Sequence, residues 1–539
     1  MLAPRLRQSL FMVLTAAFML PVLAVFASWG SIGEAGSLQI LREMAQTVLP
    51  DYVGTTLILC AAVAFGVVAV GLSTAVAVTL FDFPGRRFFE WALLLPLAIP
   101  AYVVAYAYTD FLQFSGPLQS ALRAGLSLEG RVFPEIRNTA GAAWVFTFSL
   151  YPYVYLLVRT ALGENASQLM EAARLLGAPM RRRITQVALP LARPALAAGV
   201  ALALMETLAD YGVSSYFGIQ TFTAGIYKAW LSMDNRTAAA QLATMLLVLV
   251  ALLLWLERRA QRRLRFTAAR GARAGSAEAR PLSLRGRSVA LAWLVCGVPT
   301  LMGFVLPVLF MLRPMLADWS LLSWGQFLGW SWNSLRLGGL SAALAVALAL
   351  LLAFGQRSQP DRSTRLAVQL VGLGYAVPGA VIVVGLLLPV AWIQLTLPNS
   401  GVGYVLTATS VGLVWAYLVR FCAVALQSVQ GGYARIPRSF DDSARLLGAR
   451  GWSLMRRVHW PLLKRTSAAA ARLVFVDVMK ELPATMVLRP FDSDTLAVVA
   501  YQLARDERLG EAALPSLALV VVGLIPVVLL SRTLRRASD

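Results

Sequence analysis

The chain has 539 residues, of which 58% are hydrophobic and only 14% charged, with a mean hydropathy of +0.68. That balance excludes an ordinary soluble domain and indicates a polytopic helical membrane protein. The formal net charge of +21 does not point to a nucleic-acid binder, because Lys and Arg concentrate between alternate apolar runs, the positive-inside pattern.

In chain order, MLAPRLRQ is a basic start, followed by an apolar run from Phe11 to Trp29. A secretory signal peptide begins the same way, but no clean small-x-small cleavage site follows, so a retained first helix is expected. The second span is expected at 54–80, and the turn DFPGRR (82–87) marks the inside through Arg86 and Arg87. A third span at 88–110 contains Pro96 and Pro100, which predicts a kink. Three more follow at 140–160, 194–217 and 238–256. Glu257–Arg287 carries ten arginines among Gly, Ala and Ser, the composition of a solvated cytoplasmic linker compatible with anionic lipid. Beyond it, spans are expected at 289–311, 334–354, 366–391, 404–424, 466–487 and 512–531. The expected fold is all-α, about twelve transmembrane helices in two fused six-helix domains, 1–256 and 288–539, with both termini inside.

A duplication supports the two-domain division. Glu171–Pro190 reads EAARLLGAPMRRRITQVALP, and Asp442–Pro461 reads DSARLLGARGWSLMRRVHWP, a constant shift of 271 residues with eight identities in twenty positions. Each copy reads as a short helix, a glycine break at Gly177 or Gly448, and a second helix interrupted or started by Pro190 or Pro461. Charge bias alone would not repeat the apolar core Ala-Arg-Leu-Leu-Gly. Pro378 in GYAVPGA answers Pro100 in LAIPAYV at a slightly different shift.

Several chemistries are excluded. Cys60, Cys296 and Cys422 lie in or beside apolar segments without CxxC spacing, and a surface or packing role suits the lone His459 better than metal binding. No GxxxxGK[ST], HExxH or GxSxG occurs, so the chain has neither a P-loop nor a recognisable catalytic constellation.

EAARLLG with a distal LP, between the fourth and fifth spans of each half, resembles the EAA loop of binding-protein-dependent ABC importer permeases. Glu171, Ala172, Ala173, Gly177, Ile184, Leu189 and Pro190 match that pattern. The second copy keeps Ala444, Gly448 and Pro461, but Asp442 and Ser443 replace Glu and Ala, and Trp460 replaces Leu. Two fused permease domains, with the stretches 205–230 and 480–507, resemble the ferric iron importers; fused thiamine permeases share the layout. The resemblance implies a bacterial inner-membrane permease that binds no cofactor itself. It also implies two cytosolic ATPase subunits carrying ATP and Mg, and a periplasmic substrate-binding protein.

Charges inside spans are costly and mark pathways or partners. Glu206 and Asp210, like Asp477 and Glu481, are spaced i, i+4 and are expected on one helix face, with Lys480 beside the second pair. Ferric iron is a hard cation suited to oxygen ligands, so Glu206 and Glu481 are candidates for transient contact with it, ion pairing or interhelical packing being the competing account. Tyr102, Tyr106 and Tyr108 fit packing or an interfacial belt better than a cavity lining. The alternatives are an ABC importer for thiamine or another small solute, and an ion-gradient-driven transporter, which can also be built of repeats.

Overall fold

The computed structural model describes residues 4–33, 37–163, 167–268, 281–319, 323–358 and 361–538. The chain is almost wholly helical; among the described residues the one strand pairing is a short parallel ladder of Phe81–Asp82 with Leu282–Ser283. The helices of the first half used below are α1 (Pro4–Ala27), α2 (Leu49–Leu80), α3 (Arg86–Ala92), α4 (Ala101–Leu112), α5 (Thr139–Ala161), α6 (Ser167–Leu175), α7 (Leu189–Ala209), α8 (Gly212–Phe217) and α9 (Arg236–Ala268). Those of the second half are α10 (Arg287–Thr300), α11 (Leu306–Ala317), α12 (Trp324–Ser358), α13 (Gly379–Thr396), α14 (Ser410–Ala434), α15 (Arg438–Leu446), α16 (Trp460–Lys480), α17 (Pro483–Leu488) and α18 (Leu509–Ser538).

Among the described residues ten helical segments are long and apolar enough to cross a bilayer, and an eleventh is a pair bent by 90° between Ala98 and Ala101. The bend stands where Pro96 and Pro100 predict it. In the eleventh position of the expected order lies α16, whose 21 residues reach across about 30 Å of hydrocarbon. It carries Lys464, Arg465, Arg472, Asp477 and Lys480, too many charges to pass as an apolar span.

Several boundaries differ from the sequence expectation, each for a backbone reason. The fifth span runs Met180–Ala209, not 194–217, because a π-helical turn at Ile184–Ala188 carries the helix past Pro190. Proline donates no N–H and crowds the carbonyl four residues back, and the wider turn relieves both faults. The same turn precedes Pro307 at Leu301–Val305 and Pro461 at Met455–His459. The ninth span begins at Gly379 because Pro378, at φ −59° and ψ 143°, ends the preceding turn; Pro100 does the same with φ −59° and ψ 140°. Helix α9 continues to Ala268, so the segment 257–287 begins as helix, and 269–280 lie outside the described residues.

The chain forms two compact units. One comprises Met1–Thr47, Gly225–Leu247 and Ser323–Val499; the other comprises Val48–Ala224, Val248–Leu322 and Ala500–Asp539. The duplicated halves and the compact units are therefore different partitions. In the first unit Phe11 and Phe18 of α1 enter a core with Leu337, Leu386, Tyr417 and Leu426, and Trp415 Nε1 donates to the Ala17 carbonyl at 3.1 Å. In the second, α2, α5 and α7 pack together, and Phe310 of α11 stacks on Phe111 with ring centroids 3.9 Å apart.

Small residues let those backbones approach, which is how helices associate where lipid removes the usual hydrophobic drive. A Cβ added at Gly199 of α7 would fall 2.7 Å from Val154 Cα, whereas one at Gly339 of α12 meets nothing within 4 Å. Overpacking costs about 1–3 kcal/mol, so Gly199→Leu is expected to lower the thermal unfolding temperature of the purified protein and Gly339→Leu to leave it unchanged. Equal unfolding temperatures would contradict this packing.

Candidate coupling loops and helix-break carboxylates

Both copies of the repeated loop fold alike. In the first, α6 ends in a Schellman cap: the Ala178 N–H donates to the Ala173 carbonyl at 3.0 Å and the Gly177 N–H to Arg174 at 3.0 Å. In the second, Ala449 donates to Ala444 at 2.9 Å and Gly448 to Arg445 at 3.0 Å, closing α15. The cap requires a left-handed residue, and Gly177 and Gly448 supply it at φ 76° and 83°. Beyond the break each chain passes through its π-helical turn into α7 or α16, with Pro190 and Pro461 at the second helical position.

The cap throws two leucines outward in each copy. Leu175 and Leu176 are 83% and 87% exposed, and Leu446 and Leu447 are 89% and 88% exposed. The repeat therefore leaves an exposed apolar pair at the tip of each charged loop, a surface of the kind that a partner can cover. Glu171, Ala172, Asp442 and Ser443 are exposed on the same short helices, while Ala173 is half-buried and Ala444 buried. Asp442 pairs with Arg445 at 3.5 Å.

The two loops are anchored differently. In the second, Asp441 is the buried acid: Arg357 at the end of α12 grips it with Nε at 2.7 Å and Nη2 at 3.2 Å. The remaining donors of Arg357 reach the Tyr433 carbonyl at 3.0 Å and the Pro437 carbonyl at 3.1 Å, so one guanidinium ties α12, α14 and α15 together. His459, wholly buried in the π-helical turn, places Nε2 2.9 Å from Asp441 Oδ1 and Nδ1 3.2 Å from the Tyr433 hydroxyl. Shifted back by 271 residues, Asp441, His459 and Tyr433 become Met170, Ala188 and Leu162, all buried. The first loop is held by apolar packing alone at these positions, the second by a charged network.

The intramembrane carboxylates also obey the repeat, since Asp210 and Glu481 are 271 residues apart, as are Glu206 and Asp477. They do not form same-face pairs as the i, i+4 spacing suggested. Helix α7 ends at Ala209 and α16 at Lys480, so Asp210 and Glu481 stand on extended backbone at the break, with ψ 133° and 121°. Each caps the short helix that follows. Asp210 Oδ1 accepts from the N–H groups of Val213 at 2.8 Å and Ser214 at 3.4 Å. Glu481 accepts from Ala484 at 2.8 Å and Thr485 at 3.0 Å, the same two positions of its own half.

Glu481 is the more enclosed of the two, at 5% exposure. Thr485 Oγ1 lies 2.7 Å from its Oε2, the Tyr417 hydroxyl 2.6 Å from that Oγ1, and Arg420 Nη1 3.6 Å from Oε1. Glu206, Asp477 and Lys480 are half-buried on α7 and α16. Among the described residues no group of three or more His, Cys, Asp or Glu is placed to hold a metal ion. Tyr102, Tyr106 and Tyr108 are buried in packing, with the Tyr108 hydroxyl 2.6 Å from the Met302 carbonyl.

Burial pushes the Asp441 carboxyl up, but the hydrogen bonds and charges of Arg357 and His459 outweigh it and hold the group below its ordinary 3.8. Its stabilising contribution is therefore complete above pH 3.8 and is lost as pH falls through the lowered value. Arg357→Ala leaves that buried carboxylate with His459 alone, and removing the arginine from such a pair costs up to about 3–5 kcal/mol. The expected outcome at neutral pH is faster proteolytic cleavage between α15 and α16 and a lower unfolding temperature. Asp441→Asn is expected to flatten the acid limb of stability, and an unchanged limb would remove Asp441 from this role.

The comparisons agree with this architecture. Residues 68–266, which contain the first loop and Asp210, match the family described as binding-protein-dependent transport system inner membrane component. Over 521 residues the chain is 25% identical to the Fe(3+)-transport system permease protein FbpB 2 of Haemophilus influenzae, covering 95% of each. It is 24% identical over 553 residues to a probable ABC transporter permease of Sinorhizobium fredii, covering 96% of this chain and 93% of that protein. A putative ferric transport system permease, FbpB 1, also of Haemophilus influenzae, is 23% identical over 500 residues, covering 88% of this chain and 76% of that protein. The chain is a multi-pass membrane permease whose residues 68–266 carry the inner-membrane domain of binding-protein-dependent transport systems.

Proposed function

We propose that this chain is the permease subunit of an ATP-driven importer for ferric iron, working by alternating access. The observation that carries the cargo is similarity along 95% of both chains to a protein named as an Fe(3+)-transport permease. Two cytosolic ATPase subunits, which hold ATP and Mg, engage the two loop tips, and a periplasmic binding protein delivers the iron. Both termini and the 257–287 linker lie in the cytoplasm, as the distribution of arginine favours.

Each tip enters the partner leucines first. Burying one exposed leucine is worth about 1.5–3 kcal/mol, and the Schellman cap fixes the angle at which the pair is presented. ATP-driven movement of the partners passes through α6 and α15 into α7 and α16, the helices that also carry Glu206 and Asp477. In this reading Glu206 is the better candidate for transient contact with iron. Both oxygens of Glu481 are already engaged by backbone and hydroxyl donors, and a ligand role would undo that cap.

Two experiments separate the docking and cargo assignments. A side chain added at Gly177 or Gly448 meets nothing within 4 Å in the chain itself. Gly177→Asp and Gly448→Asp are therefore expected to act through the partner and the cap, weakening ATPase pull-down, while replacing both leucines of one tip by serine weakens it roughly ten-fold or more. Glu171→Ala should impair transport more than Asp442→Ala, because Asp442 is one methylene shorter and paired with Arg445. Undiminished ATPase binding in both glycine variants would refute the docking role. For the cargo, Glu206→Gln is expected to cut uptake of radiolabelled ferric iron at unchanged protein level and ATPase association. Normal uptake would take Glu206 out of the pathway.

A further inference from the structure

An apolar cavity of about 1200 Å³ opens beside the second loop. Its walls include Phe11 of α1 and Leu351 and Phe354 of α12, both helices belonging to candidate membrane spans. At its mouth stand Arg445, Arg450 and Arg456 with the exposed rings of Trp452 and Trp460. Arg445 has Asp442 at 3.5 Å, but among the described residues neither Arg450 nor Arg456 has a carboxylate within ion-pair distance. Hydrocarbon walls, a cationic mouth and indole rings at the boundary are the complement of an anionic amphiphile. Pockets for drug-sized ligands run about 300–1,000 Å³, so this one has room for something larger.

We propose that this cavity is a binding site for an anionic phospholipid of the surrounding bilayer. An acyl chain lies against Phe11, Leu351 and Phe354, and the phosphate is held by Arg450 and Arg456. The site rests on the reading of the chain as bilayer-spanning and is independent of the cargo. A neutral solute would leave the arginines unanswered, and a free phosphate would leave the apolar walls wet. An apolar segment of the ATPase partner is the competing occupant, and binding measured without any ATPase excludes it. The lipid would brace the loop between α15 and α16 beside the Arg357–Asp441–His459 network, because Phe354 of the cavity wall packs edge-on against His459 with ring centroids 5.5 Å apart.

The test uses the purified full chain, without ATPase, in mild detergent, titrated with phosphatidylglycerol or phosphatidylcholine and read by native mass spectrometry. The wild type is expected to retain phosphatidylglycerol in preference to phosphatidylcholine. Each arginine near a membrane surface contributes about a five-fold change in affinity, so Arg450→Gln with Arg456→Gln should weaken phosphatidylglycerol binding about thirty-fold. Leu351→Trp, at a half-exposed position, fills the cavity without changing charge and should also reduce retention. Equal retention of the two lipids by the wild type overturns the proposal. So does unchanged phosphatidylglycerol affinity in either folded variant.

Discussion

A helix that breaks inside a packed membrane protein leaves backbone N–H groups with no water to turn to, and each must find an acceptor. Both halves of this chain meet that constraint in the same way, with a carboxylate at the break whose oxygens accept from the amides three and four residues on. An N-capping carboxylate also complements the positive end of the short helix it begins. The cost is a buried charge, which the second half offsets with Arg420 at 3.6 Å; at the corresponding position of the first half stands Ser149. The carboxylates thus fix where α7 and α16 end and where α8 and α17 begin. A movement transmitted along either long helix arrives at a defined joint.

At the other end of the same two helices, the loops share a shape and differ in how they are held. Shape comes from the glycine cap and the π-helical turn before proline, both repeated at the same shift. Apolar packing around Met170 and Ala188 holds the first loop without fixed polar geometry. Arg357 and His459 hold Asp441 through directional bonds, and charged bonds of this kind tolerate little displacement. The second loop is consequently the stiffer attachment, although its exposed face departs further from the EAA pattern.

Much of this was legible in the sequence because repetition and composition are visible there. The spans follow from apolar runs, the glycine caps from the Leu-Leu-Gly repeat, and the 90° bend from Pro96 and Pro100. What failed was periodicity across a break: Glu206 and Asp210 lie four apart, but that implies one face only while the helix continues, and it stops at Ala209. Nor does the Asp441-Asp442 pair reveal which acid is buried. That is decided by Arg357, 84 residues away. The outward leucines belong to the repeat, yet only the cap geometry shows that neither faces the bundle.

The compact units explain why two copies of one domain should be a single chain. A core that needs Phe11 and Phe18 from the first sequence half among Leu337, Leu386 and Tyr417 of the second is not complete without its α1. The other unit depends in the same way on α10 and α11, through Phe310 on Phe111 and through the Met302 carbonyl that receives the Tyr108 hydroxyl. Each exchange buries large apolar side chains worth about 1.5–3 kcal/mol apiece, and neither half supplies them to itself. Were the halves separate chains, those contacts would depend on encounter at the concentration of each subunit. Joined by one linker, they form at an effective concentration set by the length of that linker. Fusion follows from the packing, and the basic linker needs only to reach.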